Sequence, residues 1–218
     1  MRKVFRLHWL YFTIYVVFAA IAAYFLIQYN KQEIHSYLNA LHQPVNDLFF
    51  KYITHIGDGF TIVIITILAL FWSKKYALQI GLSGVISGLI AQILKKVVFG
   101  PTPRPSKYFG ELDIPLYYID GVELNTVFSF PSGHTTAIFS LTTSILLLLN
   151  KKQGDLALII LALLTAYSRV YLSQHFLSDI LLGSFIGVST ALIIYKLLFN
   201  SELLQSEKFN HPLIKLKK

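Results

Sequence analysis

Residues 177–199 read LSDILLGSFIGVSTALIIYKLLF, with one acidic residue near the start and one basic residue near the end. A helix needs roughly 20 mostly apolar residues to cross the hydrocarbon core of a bilayer, and this segment has that length. Charged residues make up 14% of the 218-residue chain, against about 25% in soluble domains. The sequence therefore predicts an all-α, polytopic membrane protein.

The apolar segments upstream of residue 177 predict the rest of the architecture. They extend the prediction to a six-helix transmembrane bundle, with the other five spans at about 9–28, 57–73, 76–95, 133–149 and 155–173. The stretch 30–56 mixes apolar residues with His, Asn and Asp, and we expect an interfacial helix there. No internal repeat or linker is evident, so 1–218 is expected to be one membrane-embedded domain. Its motif-bearing core is 57–199, and a basic cytoplasmic tail follows at 200–218.

The basic residues predict the orientation of this bundle. The N-terminal MRKVFR and the short loops SKKY and NKKQ are all basic, and cytoplasmic loops are enriched in Lys and Arg. We therefore expect both termini in the cytoplasm. The apolar run after the N-terminal charges is long enough for an uncleaved anchor, which we favour over a signal peptide. The net charge of +8 fits topogenic charge beside apolar spans, and no nucleic-acid partner is expected.

The segment SRVYLSQHFLSD, residues 168–179, overlaps the start of the last span. His175 and Asp179 are spaced i, i+4 and share one helical face. Asp179 can accept the Nδ1–H of His175 and leave Nε2 free as a nucleophile. Arg169 lies at the end of the preceding span, where an intramembrane charge indicates function. The alternative is an interfacial His followed by an Asp that the helix dipole favours.

The segment SFPSGH, residues 129–134, precedes the fourth span. Ser132 is a candidate N-cap, and the unpaired amides of Ser132 and Gly133 could bind a phosphate at the helix N-terminus. His134 in the first turn could donate a proton to a leaving oxygen. The alternative is a capping turn with an interfacial His.

The segment KVVFGPTPRP, residues 96–105, follows the third span. Arg104 offers a planar fork to phosphate oxygens and Lys96 a compact charge. The alternative is that lysines here only anchor a helix end; we prefer that interpretation for Lys95 and a functional one for Lys96.

The histidines 8, 35, 42, 55 and 211 have no partner at a useful spacing and are assigned no role. The loop 107–125 is either a lid or a solvated loop.

These segments resemble the three motifs of the type 2 phosphatidic acid phosphatase superfamily, from about residue 57 to residue 187. SRVYLSQHFLSD matches the third motif without a gap. SFPSGH matches the second, with Phe130 where Arg is usual. In the first motif, seven residues separate Lys96 from Arg104-Pro105 where the family has six, and the loop 99–103 can absorb the extra one.

The resemblance implies a mechanism without metal or cofactor. His175 attacks phosphorus to form a phosphohistidine, and Asp179 orients it. His134 protonates the leaving oxygen and then activates water. The phosphoryl oxygens are neutralised by Lys96, Arg104, Arg169 and the amides of Ser132 and Gly133.

The expected function is hydrolysis of a lipid phosphate monoester or pyrophosphate at the non-cytoplasmic face. Candidate substrates are phosphatidylglycerol phosphate, phosphatidic acid, a polyprenyl diphosphate and a lipid A phosphate. Two alternatives stay open: a lipid phosphotransferase using the same site, and a non-enzymatic anion transporter. We expect a bacterial inner-membrane location with the site facing the periplasm, and no obligate protein partner is inferred.

Overall fold

The computed structural model describes residues 1–200 together with His211 and Leu213. The described chain forms ten α-helices: α1 Arg2–Leu7, α2 Trp9–Gln28, α3 Lys31–Asn39, α4 Pro44–Ile53, α5 Gly59–Leu70, α6 Lys74–Ile93, α7 Pro105–Gly110, α8 Gly133–Leu148, α9 Asp155–Tyr171 and α10 Leu177–Asn200. Within these residues there is no strand, only an isolated bridge between Pro103 and Val127. The all-α prediction is confirmed. The tail predicted beyond residue 200 lies almost wholly outside the described residues.

Four helical segments are long and apolar enough to cross a membrane, and these are Trp9–Gln28, Lys74–Val98, Lys152–Tyr171 and Leu177–Phe199. A fifth is possible if Pro44–Gly57 and Gly59–Leu70, which meet at 56°, form one broken span. The helix α8 is apolar but has 16 residues, a length of about 24 Å at 1.5 Å per residue. The predicted count of six spans is therefore not confirmed, because α5 and α8 are shorter than the apolar runs that contain them.

The single interfacial helix expected over 30–56 is replaced by two helices and a 3₁₀ turn. Asn30 begins α3 with a capping box: its side chain accepts from the Glu33 amide, and Glu33 accepts from the Asn30 amide. Pro44 begins α4 at a position where its missing N–H costs nothing. The 3₁₀ turn Thr54–Gly57 then leads into α5. This turn brings residues 54–58 against α8 and α9.

The helices α8 and α10 form the closest helix pair of the bundle. A Cβ on Gly187 would lie 2.5 Å from the Thr136 carbonyl oxygen, and one on Gly183 would lie 2.7 Å from the Ser132 carbonyl oxygen. Only glycine permits this approach, so the small-residue spacing in the last span has a packing reason. The approach draws the start of α10 onto the start of α8, where two of the predicted motifs meet.

The end of α6 widens into a π-helical turn, Leu94–Val98. A π turn accommodates one extra residue within a helix and changes the direction of the side chains around it. This turn lies within the first motif, and it determines which of its two lysines faces the bundle.

Candidate active site

His175 and Asp179 make the contact expected from their spacing. The Nδ1 of His175 lies 3.1 Å from Asp179 Oδ2. The same oxygen accepts from the Phe176 amide at 3.1 Å and from the Ser129 hydroxyl. A carboxylate held by three donors is fixed in position. The arrangement leaves Nε2 of His175 as the ring atom available for chemistry.

A tight turn between α9 and α10 positions His175. The amides of Gln174 and His175 both donate to the Arg169 carbonyl, at 2.9 and 3.0 Å, and Ser173 adopts a φ of 52°. His175 is 1% exposed. Burial lowers its pKa to about 3, and it outweighs the hydrogen bond and charge of Asp179, which act in the opposite direction; the charges of Arg104 and Arg169 lower the pKa further. His175 is therefore neutral at physiological pH, the state that a nucleophilic imidazole requires.

Two guanidinium groups lie close enough to this histidine to act on its charge. Arg169 is 7% exposed and donates from Nη1 to the Thr54 hydroxyl at 2.6 Å. Arg104 donates from Nε to the Val127 carbonyl at 3.0 Å, and from Nη1 to the backbone and side-chain oxygens of Gln174 at 3.2 Å. Burial lowers the pKa of Arg104. The two guanidinium groups are close enough to repel each other and to act on His175, so positive charge is concentrated beside this histidine.

The lysine beside these groups is Lys95. Lys95 is 7% exposed and lies within electrostatic reach of Arg104, Arg169 and Asp179. Lys96 is exposed and acts only on Lys95 among these residues. The preference for Lys96 from the sequence is therefore corrected, because the π-helical turn directs Lys95 toward the bundle. Counted from Lys95, the first motif is one residue longer still than when it is counted from Lys96. The π-helical turn and the loop after it take up the added length.

At the start of α8, one of the two amides that were predicted to bind phosphate is already hydrogen-bonded. Ser132 is the N-cap of α8 and accepts from the Thr135 amide at 3.4 Å. Its own amide donates to the Asp179 carbonyl at 3.0 Å, so the Ser132 N–H is already bonded and cannot cradle a phosphate. Gly133, the first residue of α8, has an amide without an intrahelical partner. Of the two amides in the prediction, the Gly133 amide is therefore the one without a helical partner.

His134 is paired with a carboxylate that the sequence analysis did not identify. Its Nε2 lies 2.6 Å from Asp58 Oδ1, and His134 is 30% exposed in this contact. The other oxygen of Asp58 lies 3.0 Å from Nδ1 of His55. Gly57 makes room for this pair, since a Cβ there would lie 3.1 Å from the Cβ of His134. The site therefore contains two His–Asp pairs.

Four contacting residues of the site were not predicted: Thr54, Asp58, Ser129 and Gln174. Ser129 begins the quoted second motif, and Gln174 adjoins His175 in the third, so both lay within segments already selected. Thr54 and Asp58 lie in THIGD, far upstream in sequence. The polar THIGD segment immediately before an apolar run was the available signal for them.

The loop 107–125 is tied to the helices beneath it. Asn39 exchanges two hydrogen bonds with the Tyr117 backbone at 2.8 and 2.9 Å. Lys51 donates to the Asp120 carbonyl at 2.6 Å, and Gln174 donates to the Glu123 carbonyl at 2.9 Å. These hydrogen bonds hold the loop against the bundle. Across the described residues, no group of three or more His, Asp or Glu side chains is arranged to hold a metal ion.

Known proteins resemble this chain in sequence. The PAP2 superfamily model matches residues 76–203. An undecaprenyl-diphosphatase of Bacillus subtilis, BcrC, is 32% identical over 168 residues, which are 75% of this chain and 79% of the relative. The lipid A 4'-phosphatase of Porphyromonas gingivalis is 30% identical over 166 residues, which are 73% of this chain and 69% of the relative.

Two crystal structures share the fold. Aquifex aeolicus LpxE aligns with a TM-score of 0.63 and 24% identity, over 76% of this chain and 94% of its own. The PAP2-type phosphatidylglycerolphosphate phosphatase of Bacillus subtilis aligns with a TM-score of 0.63 and 21% identity, over 88% and 95%. With the apolar helices described above, these likenesses identify an integral membrane protein. The chain belongs to the PAP2 superfamily, which confirms the resemblance and the expectation of a phosphoric ester hydrolase.

Proposed function

We propose that this protein is a metal-independent lipid phosphatase that works through a phosphohistidine at His175. The observation that carries the proposal is the neutral, buried imidazole held by Asp179 within electrostatic reach of Arg104 and Arg169. A nucleophile without charge next to concentrated positive charge is suited to attack a phosphoryl group.

In the first step, Nε2 of His175 attacks phosphorus, and the bond from phosphorus to the lipid oxygen breaks. The leaving oxygen takes a proton from the imidazolium form of His134, a form that the Asp58 carboxylate stabilises. Asp179 keeps the Nδ1–H of His175 in place and stabilises the positive charge that develops on the ring. The products of this step are a lipid alcohol, or a lipid monophosphate from a pyrophosphate, and phosphohistidine.

In the second step, His134 removes a proton from water, and the oxygen of that water attacks phosphorus. The bond between phosphorus and Nε2 breaks, which releases inorganic phosphate and regenerates neutral His175. Asp58 holds the Nε2 side of the His134 ring at 2.6 Å, so Nδ1 of His134 carries the proton exchanged with the leaving group and with water. Asp58 thus supports His134 as Asp179 supports His175.

The phosphoryl oxygens are neutralised by protein groups alone. Arg104 and Arg169 supply planar forks, Lys95 supplies a compact charge, and the Gly133 amide supplies a helix N-terminal donor. Charge on the transferring phosphoryl group is stabilised most by donors already in place before the reaction. These three cations are the basis for proposing hydrolysis without a metal.

A membrane lipid is the proposed substrate. The two curated relatives are named for undecaprenyl diphosphate and lipid A phosphate hydrolysis, which supports a long-chain lipid. An apolar groove of about 620 Å³ lies between α2, α3, α9 and the start of α10, and includes Phe18, Phe25 and Leu177. One lining residue, Leu177, follows His175 by two positions in sequence, and the apolar lining supports a substrate with a hydrocarbon chain. Phosphatidylglycerol phosphate, phosphatidic acid, a polyprenyl diphosphate and a lipid A phosphate form the panel to test.

The proposed location is a bacterial inner membrane with the site facing the periplasm and the termini in the cytoplasm. The chain has no cysteine, so single-cysteine labelling needs no prior substitution. In intact cells, a membrane-impermeant maleimide is expected to label Asp113→Cys, in the 107–125 loop, and to leave Gln153→Cys unlabelled until the cells are lysed. The reverse pattern would refute this orientation.

The function is tested by phosphate release from the lipid panel by purified protein in EDTA. We expect release from at least one lipid, and its loss in His175→Ala protein that remains monodisperse. Transfer of the phosphoryl group to a second lipid without phosphate release would favour the phosphotransferase. Anion uptake into proteoliposomes that persists in His175→Ala, without any hydrolysis, would favour the transporter.

A further inference from the structure

An open, basic depression lies at the end of the bundle opposite His134 and His175. It has a volume of about 670 Å³ and is lined chiefly by Lys3, Arg6, Trp9, Lys151 and Lys152. The helix α8 has His134 in its first turn and ends at Leu148, just before the loop that carries Lys151. Sixteen helical residues span about 24 Å, so the depression is separated from the active site by the thickness of the bundle.

A buried side-chain pair fixes the two halves of this depression. His8, at the break between α1 and α2, is 1% exposed, and its Nδ1 lies 2.8 Å from Asp155 Oδ1. Its Nε2 lies 3.1 Å from the Leu149 carbonyl oxygen. His8 therefore clamps the N-terminal segment with Lys3 and Arg6 against the loop with Lys151 and Lys152. The sequence analysis had assigned His8 no role.

The four cations of the depression have no acidic partner in the part of the chain that the structure describes. None of them takes part in an ion pair there, and the nearest acidic residue in sequence, Asp155, is bound to His8. Convergent cations around a concave surface produce a positive potential that attracts anions. Basic residues that only set the membrane orientation need no more than a place in a cytoplasmic loop. That role does not require the two basic segments to be held against each other, as His8 holds them here.

We propose that this depression binds the headgroup phosphate of an anionic phospholipid in the leaflet opposite the active site. Basic pockets at the ends of transmembrane helices are suited to phospholipid headgroups. Trp9 is 56% exposed at the edge of the depression. Its ring suits the membrane interface and can lie beside the part of the lipid next to the headgroup. Bound lipid bridges α1 and the loop before α9, and so stabilises the end of the bundle that His8 clamps.

The test uses the purified full chain in neutral detergent, with phosphatidylglycerol as the anionic probe and phosphatidylcholine as the zwitterionic one. Phosphatidylglycerol is a phosphodiester, so the proposed monoester and pyrophosphate hydrolysis does not consume it. Native mass spectrometry counts retained lipids, and the thermal unfolding midpoint is followed against lipid concentration. Because neither readout requires turnover, a failure here is distinct from a failure of the proposed phosphatase.

We expect phosphatidylglycerol to be retained and to raise the midpoint, and phosphatidylcholine to do neither. Lys151→Gln with Lys152→Gln is expected to weaken phosphatidylglycerol binding about tenfold. The matched control, Lys74→Gln with Lys196→Gln, removes two charges at the same end of the bundle and is expected to stay within about twofold. If the first double variant fails to fold, Lys3→Gln with Arg6→Gln tests the other half. Equal weakening by the control pair, or equal stabilisation by inorganic phosphate, would overturn the proposal.

Discussion

The imidazole Nε2 of His134 lies 2.6 Å from Oδ1 of Asp58, which is a residue of the turn before α5. If Asp58 orients His134 for proton transfer, Asp58→Asn removes the charge but keeps the shape. We expect kcat to fall about 10- to 100-fold with a smaller change in KM, because proton transfer by a positioned group contributes about 10²- to 10⁴-fold.

Steady-state kinetics on the released phosphate measure the effect of Asp58→Asn. His55→Gln is the matched control, since His55 contacts the other oxygen of Asp58 and its side chain is 67% exposed. The control is expected to alter kcat by no more than about threefold, within the range of an exposed ion pair. Equal effects from both variants would show that Asp58 does not act on His134.

The two neighbouring lysines of the first motif are predicted to differ. Lys95→Met removes a buried cation near Arg104 and Arg169, and kcat/KM is expected to fall about 100-fold, as for loss of one preorganised electrostatic group. Lys96→Met removes an exposed charge and is expected to change kcat/KM by less than about twofold. Kinetics of the two variants side by side decide the matter, and the opposite ranking would restore the assignment made from the spacing alone.

The contact between α8 and α10 makes Gly187 sensitive to a single methyl group. In Gly187→Ala, the Cβ would meet backbone atoms of Thr136 and Ser140 at 2.5 and 2.8 Å. We expect the free energy of unfolding to fall by about 1–3 kcal/mol from overpacking. Gly88→Ala is the control, because nothing lies within 4 Å of that Cβ, and helix propensity favours alanine by about 1 kcal/mol. Thermal unfolding in detergent is expected to show opposite shifts, and similar midpoints for the two variants would contradict the packing described.

The buried state of His175 predicts a stability that depends on pH. Its pKa is about 3 in the folded protein against 6.5 for an ordinary histidine, so the unfolded chain binds a proton that the folded chain does not. The contribution is fully present above pH 6.5 and is lost as pH falls toward 3, at about 1.4 kcal/mol per pH unit. Unfolding midpoints from pH 7 to pH 4 are expected to fall more steeply for the native chain than for His175→Gln. Parallel curves would show that His175 is not held neutral.

The contacts that could be predicted best from the sequence are those between residues close together in the chain. The i, i+4 relation of His175 and Asp179 needs only one helical turn, and the structure has their contact. The lysine could not be assigned in this way, because the π-helical turn Leu94–Val98 breaks the regular spacing of the helix. The pairing of Asp58 with His134 depends on how α5, α8 and α9 pack, and no local pattern encodes it.

The predicted count of six spans is not confirmed for a related reason. An apolar run sets the greatest length of a helix, whereas α5 begins at Gly59 and α8 ends at Leu148. The amide of Ser132 was predicted to be free because it precedes a helix. The close approach at Gly183 instead brings the Asp179 carbonyl to it.

The central claim is that His175 carries the phosphoryl group between the two steps. The most direct measurement is rapid mixing of the protein with a lipid phosphate substrate in EDTA, followed by an alkaline quench that preserves phosphohistidine, and peptide mass spectrometry. The account predicts one phosphoryl group on the peptide that contains His175, formed within the first turnover and absent in His175→Ala. Phosphate release at the full rate with no modified His175 at any time point would contradict it.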